Sequence, residues 1–527
     1  MSRENLQPAA WFGSARAGRQ AARTHRLADV SIPVAAALLG VLGGVIAGSG
    51  DAKVVTVVVG AFIGVVLLFN PRASLWLVIF GTLIFAGLAQ LYVPQIQFIR
   101  WPIAFLSAAL GMLAAMQYWF SRSRTTRLPS VFWWGAGLFS VVLISSLMNH
   151  RDSEIAAFGL KGYFQVFGLF IAMVMYAWPS RVIERIPAVI VGIAFLQLPF
   201  VLHQYFVLVP SRASFGAGLI PEDVVAGTMG ASVIGGGANA VLSILLLTAV
   251  AILTALFKKG ELTAFRFATG VLILICPILL NANKVAILYL VILYLLLFST
   301  ELFRRPGRFI MSAVLCVAAV MAIAWSYTSF LSTSERSSTW QDLVRTTIEN
   351  NTKGEHGGYG LNRSTVVGYW YEEHERANPG TAILGHGPGA SRERAEAPPS
   401  GGTLAERAYP GVGIGITTIS AVLWEIGVVG LLIVVLFMLA LWRAAGRLAR
   451  LHRDNARRSS VFLAFQAAIV IFALSFFHKN SFVFYLQYQA LLMLIAGYIG
   501  YWEARSMQRS GSQAHGTALG PAHESAA

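Results

Sequence analysis

Apolar runs of about 20 residues recur along almost the whole chain, and no other feature restricts its folding as much. As a helix, a run of that length spans the hydrocarbon layer of a bilayer. Composition agrees: 56% of the 527 residues are hydrophobic and 12% are charged, against about 25% charged in a globular protein. An ordinary soluble enzyme is excluded, and an all-α polytopic membrane protein is expected.

Counting the runs predicts about fourteen transmembrane helices, near 31–49, 53–70, 73–92, 102–120, 129–148, 162–178, 187–209, 237–257, 266–281, 285–300, 309–328, 413–442, 460–477 and 481–502. Residues 1–30 form a basic tail with five arginines but no apolar core followed by a cleavage site, so no signal peptide is read and the first run is expected to stay as an anchor. Both cysteines, Cys276 and Cys316, lie within apolar runs, which argues against a disulfide framework.

The net charge of +16 would suit nucleic acid only if it were gathered in one patch, and here the basic residues punctuate the apolar runs. They report topology instead. With an inside N-terminus, 25 of the 40 Lys and Arg fall in cytoplasmic segments and 7 in short outside loops. The remaining 8 belong to residues 329–412, an outside segment long enough to fold. Both termini are therefore expected in the cytoplasm, with helices 1–11 over 31–328, a large partly helical periplasmic loop over 329–412, helices 12–14 over 413–502 and a disordered tail over 503–527.

Within the long loop, Trp340, Leu343, Val344 and Ile348 follow a serine cap at helical spacing. A second helix is expected from Asn362 to about Arg376, ending at Asn378-Pro379-Gly380. Arg363, Val367, Trp370 and His374 are spaced to share one stripe of it. Downstream, Leu384-Gly385-His386-Gly387-Pro388-Gly389 centres a histidine in a turn-rich segment, either a reactive group or a plain turn residue. Other outside cations sit where spans meet the interface: Arg212 before a glycine-rich stretch, Lys284 in Asn281-Ala282-Asn283-Lys284, and Lys161, with His478 and Lys479 as weaker candidates. Each can snorkel; together they would line an outward cationic cavity suited to a diphosphate, because Arg binds phosphate oxygens through paired, charge-assisted hydrogen bonds. Metal chemistry has little to work with, Asp51 standing alone and Asp152 with Glu154 forming one isolated pair. With no P-loop or zinc pattern either, neither metal nor cofactor is expected.

Over roughly residues 190–440 the chain resembles the bacterial O-antigen ligase and polysaccharide polymerase (Wzy-like) family of membrane glycosyltransferases. The resemblance rests on Asp223-Val224-Val225-Ala226-Gly227-Thr228 to Asn239, Pro277 to Lys284, Arg363 to Trp370 with Gly385-His386-Gly387-Pro388-Gly389, and Trp424-Glu425-Ile426-Gly427. It implies glycan transfer from an undecaprenyl-diphosphate carrier at the periplasmic face of the inner membrane, with the lipid-linked glycan, the bilayer and other polysaccharide assembly proteins as partners. By that analogy Arg363, with Arg212 and Lys284, holds the diphosphate, and a histidine acts as general base. Ligases of the family carry a His-Asn pair just before the Glu-x-Gly span. This chain reads Gly411-Val412-Gly413-Ile414-Gly415-Ile416-Thr417-Thr418 there, which favours a polymerase with His386 as the base. The rival readings are a ligase and a lipid-linked glycan flippase or other transporter. A transporter would show internal repeats and broken helices at mid-membrane.

Overall fold

The computed structural model describes residues 69–93, 99–120, 127–149, 153–212, 221–232, 238–281, 283–329, 341, 345, 360–375, 379–393 and 402–518. The chain divides into two compact units, 1–74 and 75–527, and of the first only 69–74 are described. The spans expected at 31–49 and 53–70 therefore fall almost wholly outside the described residues, as do the Trp340 to Ile348 stripe, Asp51 and Asp152.

Among the described residues the secondary structure is helical throughout, without a strand. Seven helices are long and apolar enough to cross a membrane: Pro71–Tyr92, Arg100–Phe120, Ser130–Met148, Ser180–Arg212, Asn239–Lys258, Thr418–Leu451 and Ala456–Ser475. The pair Ser153–Phe164 and Phe167–Met175, bent by 47°, is together apolar enough for either a broken eighth span or a re-entrant loop. Residues expected to span near 266–281, 285–300 and 309–328 form the helices Ala264–Leu280, Val285–Arg304 and Pro306–Ser329. The last helix runs Leu486–Ala518, so residues 503–518 are helical where a disordered tail was expected. Its residues are good helix formers up to Arg509, and a helix once nucleated extends at low cost.

Asn239–Lys258 is apolar all round, which suits either a protein core or a membrane span, and its burial places it in the core. Nearly every residue of it is buried, and it packs on Ala456–Ser475, Ala264–Leu280 and Val285–Arg304. Arg100–Phe120, by contrast, buries mainly small residues such as Ala104, Ser107, Gly111 and Ala114, and leaves Phe105, Met112 and Trp119 exposed, as a lipid-facing helix would.

Thr418–Leu451 is broken at Gly427, whose φ of 69° and ψ of −169° lie in a region essentially reserved for glycine. A Cβ there would stand 2.2 Å from the Ile383 carbonyl oxygen. The break frees two carbonyls in an apolar setting, and the chain supplies both with donors: His386 N–H to Trp424 O at 2.8 Å and Gly387 N–H to Glu425 O at 2.9 Å. Gly427→Ala is expected to cost about 1–3 kcal/mol in strain alone, seen as a lower melting temperature in detergent. Unchanged melting would mean that the break is dispensable.

Candidate functional site

Two side-chain groups meet near the long-loop segments, one cationic and one built from histidines and aromatic rings. The cationic group begins where Ser180–Arg212 ends. Gln204 of that helix donates to Gly227 O at 2.7 Å and accepts from the Ala226 and Gly227 N–H groups, while Gln197 accepts from Thr228 N–H at 2.7 Å. Two buried glutamines thus hold the 221–230 segment against the helix and fix Asp223 beside it. Asp223 accepts from Asn239 Nδ2 at 3.0 Å, and Asn281 donates to Asn239 O at 2.8 Å, so three sequence-distant polar residues are chained together.

Arg212, 1% exposed, donates through Nη1 to Pro221 O at 3.1 Å and lies in the field of Asp223 and Glu222. Arg363 and Lys479 are drawn to the same carboxylate. Burial lowers the pKa of Arg363, and Tyr289 and Asp223 oppose that shift. Burial also lowers Lys479, Asp223 opposes it, and the positive charge of Arg363 adds to it. Three cations from three separate regions therefore lie in the field of one aspartate. Arginine stays charged through such shifts, so two guanidiniums stand against the two carboxylates of Asp223 and Glu222, and a protonated Lys479 makes the group net cationic. Lys284 heads the Val285–Arg304 helix, next to buried Asn283 and five residues before Tyr289. Lys161 is engaged elsewhere, its ammonium 4.0 Å over the Trp101 ring.

Arg363 does not lie on the helical stripe expected for it. Asn362 Oδ1 accepts from the N–H groups of Ser364 and Thr365 at 2.9 and 3.0 Å, a side-chain turn that delays the helix to Thr365–Glu375 and leaves Arg363 in the turn before it. The buried face then runs through Val366, Trp370 and His374, while Val367 is 36% exposed.

His374 and His386 form the second group, with their Nε2 atoms 3.1 Å apart. His374 Nδ1 lies 2.8 Å from Trp370 O, and a carbonyl only accepts, so this nitrogen carries the proton. Burial lowers the pKa of His374, against the Trp370 carbonyl and Glu373, and so favours the neutral ring. Its Nε2 must then accept, which makes His386 Nε2 the donor and puts the basic lone pair of neutral His386 on Nδ1. Trp370 stacks on His374 with ring centres 4.6 Å apart, and Trp424 contacts both imidazoles at 4.9 and 5.7 Å. Trp370, 7% exposed, forms the wall against which His374 is held. Tyr409 packs 4.9 Å from Trp424 and donates to Glu373 at 3.1 Å. Burial, with the neighbouring carboxylate, pushes its phenol up to about 12, so it remains a donor.

The loop around His386 is anchored on three sides. Ser145 Oγ donates to Leu384 O at 2.6 Å and to Glu425 O at 2.9 Å, and Asn149 Nδ2 donates to Gly385 O at 3.1 Å. Gly385 has φ 73°, and a Cβ on it would stand 2.3 Å from the carbonyl carbon of Glu425. Ser391 Oγ donates to Glu425 Oε1 at 2.7 Å, and Arg392, 6% exposed, donates to Val483 O and lies over the Phe484 ring. His386 itself is half-buried, so a solvent-side partner can reach it.

The sequence points to His386, Arg363, Arg212, Lys284, Lys161, His374 and Trp370 as site residues, with Lys479 a weaker candidate. It assigns no role to Asp223, Tyr289, Tyr409 or Arg392. The available signal was an acid within an apolar setting, as at Asp223 and Glu425, which marks function or a buried partner. No protein-family model matches the chain, and no curated protein is significantly similar to it.

Proposed function

We propose that the protein is a membrane glycosyltransferase of the O-antigen ligase and polysaccharide polymerase kind, joining glycan repeat units carried on undecaprenyl diphosphate. The observation that carries this reading is that Arg212, Arg363 and Lys479 all lie in the field of Asp223, with a tautomer-defined histidine pair on the long loop that also carries Arg363. The three cations hold the diphosphate and stabilise the negative charge that develops as it leaves. His386 Nδ1 takes the proton of the attacking hydroxyl; that oxygen bonds to the anomeric carbon as the bond from carbon to the phosphate oxygen breaks, and the carrier departs as undecaprenyl diphosphate.

The fourteen-span topology, the periplasmic site, the inner-membrane location and the two cytoplasmic termini are parts of the same proposal. Polymerase is preferred to ligase because Gly411 to Thr418 carries no His-Asn pair. The direct test is purified protein in lipid with an undecaprenyl-diphosphate oligosaccharide, following product length by mass. A ladder of repeat units is the expected result; a donor that stays intact, or that only changes leaflet, overturns the proposal in favour of a transporter.

A further inference from the structure

Four helices, Asn239–Lys258, Ala264–Leu280, Val285–Arg304 and Pro306–Ser329, line a cavity of about 880 Å³ that is open on one side, where Leu272 is exposed. Its walls are apolar, as at Val250, Val271, Leu290 and Leu293, and Phe257 and Phe267 stack along one side with ring centres 4.4 Å apart. The hydroxyls of Tyr294 and Ser312 in the wall both donate to Phe309 O at 2.9 Å, so they add little polarity to the space. One end differs. There Lys258 Nζ lies 3.4 Å from Glu301, donates to the Leu297 carbonyl and stands 5.0 Å from the Phe298 ring centre, and exposed Lys259 follows it.

Apolar walls left facing water cost free energy in proportion to their area. Water is a poor filling, since apolar cavities stay dry. A chain of methylenes satisfies such walls, and a phosphate fits the lysines at the end.

We infer that this cavity holds an acyl chain of one membrane phospholipid, with its phosphate at Lys258 and Lys259. In a phospholipid the phosphate sits directly beyond the acyl chains, so a single molecule meets both the cations and the apolar wall. The carrier lipid of the proposed reaction fits less well. Its diphosphate would lie near Asn239, at the other end of the same helix and about 30 Å away. The lipid site stands whether or not the chain is a glycosyltransferase.

The test uses the full-length protein, washed through repeated detergent exchanges, with the retained lipid extracted and identified by mass. One phospholipid per chain is expected. Ala268→Trp combined with Ala319→Trp, both on the wall, should reduce retention at least tenfold. Lys258→Gln combined with Glu301→Gln leaves no lone charge and should weaken rebinding of dioleoyl phosphatidylglycerol to stripped protein about tenfold, the size of one charge-assisted hydrogen bond. The second pair keeps the test open should the first prevent folding. Equal retention in the wall variant, equal rebinding in the charge variant, a polyprenyl phosphate as the retained species, or no retained lipid would each overturn the inference.

Discussion

Arg363→Ala should lower the rate of donor consumption by roughly 10²–10³, the usual loss when one preorganised donor to a developing negative charge is removed. The protein should still fold and insert. Arg363 is half-buried in a turn, and the helix behind it is started by Asn362 without using the arginine side chain. Removing it also leaves Asp223 facing Arg212 and Lys479, so no carboxylate is stranded among apolar groups. Arg363→Lys should recover only part of the rate, because an ammonium supplies a point charge where the guanidinium offers a planar pair of donors. Initial rates measured beside melting temperatures separate chemistry from folding, and a variant turning over like the parent would remove Arg363 from the site.

The second large effect is expected at the histidine pair. His386→Ala should cost about 10²–10⁴ in turnover, the range for a lost general base, with little change in donor binding. His374→Ala should cost less and act through its neighbour. Without the acceptor at His374 Nε2, the proton of His386 is no longer held on Nε2, and the lone pair is no longer directed to Nδ1. A small effect of His386→Ala would move the base to Asp223, which already sits among the three cations.

The pair also carries a pH signature. Burial depresses the His374 pKa below its unfolded value of about 6.5, so the unfolded chain binds the extra proton more readily. The stability contributed by the neutral pair is therefore complete above that pH and is lost as pH falls through the folded value. Acid should loosen the loop in the parent, measured by melting temperature against pH. His374→Gln should flatten that dependence, and an unchanged pH profile in that variant would place the acid sensitivity elsewhere.

The helical membrane character was legible in the sequence because an uninterrupted apolar run has few other ways to satisfy its backbone. Boundaries were legible where punctuation is strong, as at Pro129 and Ser130 or at Asn239. The departures have local causes. Asn362 turns the chain before the helix and so takes Arg363 off the stripe on which spacing alone placed it. His374 and His386 could be named one by one, yet their hydrogen bond depends on a tertiary approach that no spacing encodes. Asp223 opens a stretch that carries the family resemblance, yet no spacing shows that two glutamines on the preceding helix hold its segment. Lys479 was undervalued because its partners come from segments more than 100 residues away in the chain.

The break at Gly427 also sets an order of assembly. Its two released carbonyls, of Trp424 and Glu425, need the backbone of His386 and Gly387, and that loop in turn needs Ser145 and Asn149, 236 to 280 residues away along the chain from the groups they bind. A growing polypeptide makes the early helix first, the loop much later and the broken helix last. The loop therefore waits beside a finished anchor on one flank and an unmade one on the other. Only when the segment from Thr418 onward enters the bilayer can all three chain segments lock together, so the histidine pair comes into being late, at the moment the bent helix finds its place.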